Sequence, residues 1–464
     1  MSLSAILVFA LSTLPTNALG VAILVYLSPY FASHLGVPLT VVGAAFFIVR
    51  WIDFFVDPLL GMMMDRTRTR LGRYRVWQII GIPILMLAVA KLFLAPYGIS
   101  EAYMVGWLLV LYLGSSILDL SRSAWSATLA TQYHERSRVF GIMTAVAVLA
   151  AVAVLLVPIL SARSAHGGSS VPLMGWFIIA LTPLGVGIAA ALTPERVNID
   201  VHTDHFPLSD YWALVRRPAL IRLFLAQLAT SLGPNWMSAM YLFFFTQSRG
   251  FTAAQASIML AVYILSGVAG APATAYLARR IGKHRAMMVT TTAFSLGLST
   301  AMLFPKGNVL ADLPMMIWCG FMASGFGLMI GAMAADFGDE IRLDQGKARI
   351  SLIYAMLGIA NKIAGAISIF LTYSALSLVG FKAAEGAVNT PAAIRGLEAS
   401  FLVGPIFFVM LGGACFIGWK LDAARHGDIR SRLDARDAEL EAGSAITATG
   451  VEAVVILARE SKSV

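Results

Sequence analysis

Twelve apolar runs, each longer than 20 residues, follow one another along this 464-residue chain with only short polar connections between most of them. A helix needs roughly 20 consecutive apolar residues to cross a hydrocarbon layer about 30 Å thick. Inside lipid every backbone N–H and C=O must also find a partner within the protein, which leaves a helix bundle as the solution for runs of this length. The runs cover residues 4–33, 38–64, 75–96, 103–131, 137–163, 172–192, 219–248, 253–279, 284–305, 312–336, 349–380 and 392–421. They predict an all-α membrane protein with twelve transmembrane helices. The composition agrees, being 58% hydrophobic and 13% charged, where soluble domains carry about 25% charged residues.

The first run contains Pro15 and Asn17, with no basic stretch ahead and no small-residue cleavage site behind. It is therefore expected to stay as the first spanning helix instead of being removed as a signal peptide. Basic residues gather in the connections after even-numbered runs: Arg66 to Arg75, Arg136 and Arg138, Arg196 with Arg216 and Arg217, Arg279 to Arg285, and Arg342 to Arg349. The alternate connections hold only Arg163, Arg249, Lys306, Lys382 and Arg395. The positive-inside rule then places the basic loops and both termini in the cytoplasm, as in a multi-pass protein of a bacterial inner (plasma) membrane. The net charge of +9 is spread over these loops and forms no single stripe or tail, which argues against nucleic acid as a partner. Cys319 and Cys415 fall inside apolar runs, where they read as packing residues and not as a disulfide or metal cluster.

The longest polar interruption before the tail, Thr193 to Pro218, divides the chain into residues 1–192 and 219–421, two expected six-helix bundles joined by a cytoplasmic linker, 193–218. His202 and His205 within it have neither a cysteine nor a third histidine nearby and read as ordinary linker. Residues 422–464 alternate in charge, suiting a solvated helix or disorder, and are expected to play no part in transport. The halves carry a faint internal repeat, as duplicated transporter bundles do. YLSPYFASHLGVPLTVVG matches YLFFFTQSRGFTAAQASI in pattern, and with one gap Asp57-Pro58 falls on Ala271-Pro272 and Asp53 on Gly267.

The second run ends in WIDFFVDPLLGMMMDRTRTRLGRYR, which puts two aspartates in an apolar stretch ahead of an arginine-rich loop. At about 100° per residue, Arg50, Asp53 and Asp57 lie within roughly 60° of one another around the helix. A charge near the bilayer centre costs about 2.5 to 3.5 kcal/mol on insertion scales, so three on one face call for partners, water or an ion. One arginine cannot neutralise two carboxylates. Asp119 in the fourth run, with Ser116 one turn before it, adds oxygens suited to Na⁺ or to proton uptake, and crowded carboxylates resist ionising together. Arg122 either pairs with Asp119 or faces an anionic group. Lys362, the one charge deep in the eleventh run, either enters a cavity or snorkels toward an interface. Trp125, Tyr26 and Trp236 either stack on a sugar face or line the lipid boundary.

DPLLGMMMDRTRTRLGRYR resembles the signature of the glycoside-pentoside-hexuronide:cation symporter family, the melibiose permease-like branch of the major facilitator superfamily. YHERSRV at 133–139, ADFGDEIRLDQGKARIS at 335–351 and the lysine-bearing eleventh run resemble it as well, in the same order along the chain. The resemblance implies two pseudo-symmetric six-helix bundles, a cation site at Asp53, Asp57, Asp119 and Ser116, and a cavity lysine at Lys362. It also implies substrate positions at Asn17 and Thr144, where melibiose permease-like members carry a sugar-binding aspartate and its arginine partner. That pattern further has an asparagine between the two carboxylates where this chain has Val56, which leaves Na⁺ and H⁺ both open as coupling ion, and a tryptophan where it has Gly327.

The expected function is cation-coupled symport of a sugar, glycoside or sugar acid by alternating access, with substrate contacts at Asn17, Tyr26, Arg122, Trp125, Thr144, Trp236 and Lys362. Pairs such as Asp65 with Arg66 or Arg73, and Asp339 with Arg342 or Arg349, are expected to gate the cytoplasmic end. The alternatives are a carrier of an amphipathic or lysophospholipid-like substrate and a non-transporting sensor. No cofactor is expected beyond the coupling ion. No catalytic cluster or phosphate-cradling loop is evident in the sequence, so an enzyme is not expected.

Overall fold

The computed structural model describes residues 3–129, 133–162, 169–195, 216–345 and 350–438. Twelve helical segments carry the chain back and forth. The first six are α1 (Leu3–Ser33), α2 (Leu39–Arg66), α3 (Arg75–Phe93), α4 (Glu101–Leu129), α5 (Tyr133–Ser161) and α6 (Val171–Leu192). The second six are α7 (218–248), α8 (Ala253–Ile281), α9 (Lys283–Ser299), α10 (Val309–Gln345), α11 (Ile350–Leu378) and α12 (Pro391–Ala414). Ten are long and apolar enough to span a membrane. The other two are α7, which breaks at Met240, and α9, whose 17 helical residues run on into a 3₁₀ turn.

Within the halves, α3 runs along α4 and α6 in the first, and α8 along α10 and α7 along α11 and α12 in the second, while the main buried core is continuous through both. The halves meet where α2 runs along α11 and α5 along α8. Glycine allows the closest approach: a side chain at Gly270 or Gly320 would run into the backbone of the facing helix, at Phe321 or Tyr263. Close contact of small residues is how helices associate in lipid, where no hydrophobic force drives them together. The repeat is visible in the backbone too. Both α1 and α7 widen into a π turn near their far ends, at 22–27 and 244–248, and Pro58 in α2 matches Pro272 in α8.

The two faces of the bundle differ. On the face away from the termini, the halves are pinned together. Tyr26 Oη lies 2.5 Å from Ser257 Oγ, Tyr373 Oη donates to Ser28 Oγ at 2.9 Å, and Glu385 meets His34 Nδ1 at 2.8 Å and donates its N–H to Ser33 O. On the terminal face, the ion pairs between described residues stay within one half.

The described part of the tail forms a helix, α13 (423–438), one of the two forms its charge pattern allowed, and lies along the terminal face, where its apolar positions Ile429 and Leu433 are buried. Arg425 pairs with Glu340, Arg342 with Asp437, and His426 Nε2 with Asp339 at 3.1 Å. α10 accordingly continues to Gln345, nine residues past its expected end.

One ion pair is fully enclosed. Arg249, at the far end of α7, grips Asp312 through two bonds of 3.0 and 2.7 Å and donates to Phe304 O, with side-chain exposures of 2% and 1% for the pair. Removing one partner from a buried pair strands the other charge and costs about 3 to 5 kcal/mol, whereas replacing both with apolar groups costs little. Arg249→Met is therefore expected to lower the melting temperature in detergent sharply, and the double change Arg249→Met with Asp312→Leu to recover most of it.

Candidate functional site

The polar face of α2 meets α4 on one side and α11 on the other. Asp53, 5% exposed, accepts a bond of 2.8 Å from Ser116 Oγ in α4 and has Arg50 Nη1 at 3.7 Å, one helical turn away. The Arg50 guanidinium sits over the Tyr112 ring, 4.1 Å from its centre, which fixes its direction. From the other half of the protein, Lys362 in α11 reaches across with its Nζ 4.0 Å from Asp53 and in direct contact with Asp57 Oδ2. Two cations thus balance two carboxylates, and the pair that α2 alone could not neutralise is completed by α11. Lys362 does not snorkel. The remaining oxygen, Asp57 Oδ1, is buried without a hydrogen-bond partner. A buried carboxylate oxygen with no donor is an open acceptor for a proton or a cation.

Asp119 stands apart from this cluster. Arg122 Nη2 binds it at 2.5 Å, and Arg122 Nη1 spans to α1 through Ser12 O at 3.1 Å and Thr16 Oγ1 at 2.9 Å. Among the described residues no three Asp, Glu, His or Cys side chains converge as a metal site, so the expected three-carboxylate arrangement is not assembled in this state. The same bonds pair Arg122 with Asp119 and tie α4 to α1.

A cavity of about 930 Å³ opens between the halves, lined by α5 of the first half and by α7, α8, α10 and α11 of the second. Its lining includes Thr144, as expected, and reaches Asn361, the residue before Lys362, so it adjoins the charge cluster. Thr144 donates its hydroxyl to Phe140 O within its own helix, leaving lone pairs for a ligand. Polar groups that the sequence reading passed over are Gln227, Ser231 and Asn235 of α7 and Tyr263 of α8. Their signal was present, since residues 227, 231 and 235 repeat every four positions in an apolar run and fall on one helix face.

The expected aromatic contacts lie elsewhere. Trp125 is 1% exposed and packs edge-on against Phe9, with the Arg75 guanidinium over its ring. Trp236 turns toward α12, donates Nε1 to Ser400 O at 3.0 Å and fills the space above Gly404. Tyr26 belongs to the seal on the far face. Asn17 is half-buried in α1 and donates to Thr13 O, leaving its carbonyl oxygen for other partners.

The expected gate residues divide in the same way. Asp65 pairs with Arg73 at 2.6 Å, and the loop it closes is held by Glu195, which accepts the N–H groups of Arg73, Tyr74 and Arg75. Arg66 is exposed and makes no such pair among the described residues. Asp339 pairs with His426 and Arg430 and not with Arg342, which holds Asp437 instead, so both are taken up by α13. Arg349 lies outside the described residues.

Residues 8–423 match the family described as MFS/sugar transport protein. The chain belongs to the glycoside-pentoside-hexuronide symporter family of the major facilitator superfamily. Similar proteins include the isoprimeverose transporter of Lactiplantibacillus pentosus, 24% identical over 89% of this chain and 88% of that protein. A glucuronide carrier protein homolog of Escherichia coli (strain K12) is 23% identical over 89% and 91%. The lactose permease of Leuconostoc lactis is 22% identical over 92% of this chain and 71% of its own length. In structure the chain is similar to the nucleoside transporter NupG, with a TM-score of 0.68 over 90% of this chain and 100% of that one at 14% identity, a likeness of fold.

Within this family fold, Trp236 serves as a packing residue, and Trp236→Phe removes one hydrogen bond of about 1 kcal/mol. The substitution is expected to lower thermal stability by a few degrees while leaving substrate exchange in proteoliposomes within about twofold.

Proposed function

We propose that this chain is a secondary active symporter that carries a sugar or glycoside into the cell by alternating access, driven by Na⁺ or H⁺ at the carboxylates of α2. The observation that carries this reading is the Lys362–Asp57 contact across the two halves, with Asp57 Oδ1 left unpartnered beside it. An ammonium group and an external cation compete for the same carboxylate. When the ion binds at Asp57 and Asp53, Lys362 is released, and with it one of the links between α2 and α11. A ligand can shift such an equilibrium only by its differential affinity for the two states, and a carboxylate pair that is neutralised by lysine in one state and by the ion in the other supplies that difference. Ser116 keeps Asp53 oriented for the ion. Asp119 becomes a further ligand when Arg122 turns to its α1 acceptors alone.

The relatives' names support the substrate class, since isoprimeverose, lactose and glucuronides are all sugars or sugar derivatives. The distribution of basic loops supports a bacterial inner membrane with both termini in the cytoplasm. In that orientation the sealed face is the outer one and the cavity opens inward. The Asp65–Arg73 pair and the α10–α13 pairs then stiffen the inner ends of the helices, and Arg66, Arg342 and Arg349 supply charge for contacts between the halves when the inner side closes.

The apolar walls of the cavity favour a second reading, an amphipathic lipid-like substrate. Uptake by the purified protein in proteoliposomes separates the two, with labelled glycosides and lysophosphatidylcholine compared under Na⁺ and pH gradients. Saturable lipid movement without glycoside uptake overturns the first reading. Asp57→Asn is expected to abolish accumulation against a gradient, by at least about tenfold, and to spare downhill exchange. Full accumulation by that variant would remove Asp57 from the coupling site.

A further inference from the structure

The cavity walls differ in chemistry from one side to the other. Along α7, Gln227, Ser231 and Asn235 stand four residues apart on one face, with Gln227 Nε2 donating to Ser231 Oγ at 2.9 Å. Such positions rise about 6 Å per step, so the amides and hydroxyl form a ladder of donors and acceptors. The amides of Asn235 and of Asn361 on α11 have no hydrogen-bond partner among the described residues, nor has the hydroxyl of Tyr263. Val148 and Leu149 of α5 and Ile264, Leu265 and Val268 of α8 line the same cavity with hydrocarbon, Thr144 being the one polar side chain that α5 adds.

Charge is missing from this lining: among the described residues around the cavity none is ionisable as an acid or a base other than the Tyr263 phenol. In this ion-free arrangement the cations nearby in the chain are engaged, Lys362 with Asp57, Arg50 with Asp53 and the Tyr112 ring, and Arg122 with Asp119, Ser12 and Thr16. A carboxylate or phosphate drawn into such a site loses hydration without gaining a counter-charge, which is costly. Neutral hydroxyls meet amides and hydroxyls that can replace their water.

We propose that the substrate is an uncharged glycoside with an apolar portion, bound with its hydroxyls along the Gln227–Ser231–Asn235 face of α7 and its apolar part against α5 and α8. The proposal rests on the symport reading and narrows it, excluding sugar acids and phosphate headgroups. The volume of about 930 Å³ lies toward the upper end for small-molecule sites and accommodates an aglycone in addition to a sugar.

The test uses matched sets in the gluco, galacto and xylo configurations: free sugar, phenyl glycoside and, for the two hexoses, phenyl uronide. Binding to the purified full-length protein is measured by displacement, and uptake in proteoliposomes. In at least one configuration the phenyl glycoside is expected to bind at least about tenfold more tightly than its free sugar, as burial of a phenyl group allows, and its uronide at least about tenfold more weakly than the glycoside. Asn235→Leu is expected to weaken both neutral ligands about tenfold. Val268→Asn is expected to erase the phenyl advantage and leave the free sugar unchanged, which a general folding defect would not do. Uronides binding as well as neutral glycosides, or a phenyl advantage that survives Val268→Asn, overturn the proposal while leaving sugar symport standing. Failure of every compound to bind or move overturns both.

Discussion

Lys362 on Asp57 is the contact on which the rest of this structure depends. Two carboxylates on one helix in a lipid-depth segment are unfavourable however they are packed, and Arg50 satisfies only one of them. The second is satisfied from the other half of the chain, 305 residues away in sequence. The bundles are therefore joined at mid-depth by electrostatics, while the close approach of Gly43 in α2 to the Phe370 backbone of α11 and neutral hydroxyl pairs join them elsewhere. An ion pair can be exchanged for another ion without repacking a core. Close-packed helices have no comparable substitute, which makes the charged contact the natural point of control.

Much of this was legible in the sequence. Twelve apolar runs, the basic loops and the α2 motif led to the twelve helices and the family, because burial in lipid leaves few alternatives for such segments. Arg50, Asp53, Asp57, Ser116 and Lys362 were singled out as charges or hydroxyls in apolar context, and the structure brings these five together. What the sequence could not supply was direction. Trp125, Trp236 and Tyr26 are equally apolar and aromatic whichever way they turn, and only tertiary packing sends them to Phe9, Ser400 and Ser257. The spacing of Asp119 and Arg122 left a pair and an anion-facing arginine both open; in the structure the two are bonded, and Asp119 stands apart from the cluster. For the tail the charge pattern allowed a helix, but not where it docks, because two buried positions, Ile429 and Leu433, are a weak signal among many charges.

The repeat explains why the two halves can share a backbone plan and divide the chemistry. In the first half Ser116 of α4 faces Asp53 of α2. At the matching place in the second half, Gly267 of α8 faces Gly320 of α10, whose carbonyl would stand 3.4 Å from an added Cβ. A hydrogen-bonded carboxylate in one bundle is answered by bare backbone in the other. The first half thus carries the ionisable face, and the second contributes the ladder on α7 and the single lysine that completes its partner's charges.

The seal on the far face has a consequence for energetics. Its Tyr26–Ser257 and Tyr373–Ser28 contacts are between neutral hydroxyls, and only the rim pair His34–Glu385 can carry charge. A membrane potential acts on displaced charge, by about 2.3 kcal/mol per elementary charge per 100 mV. In the proposed symport cycle, opening and closing this seal displaces almost none within the membrane, so voltage acts through the coupling ion and Lys362 and not through the seal.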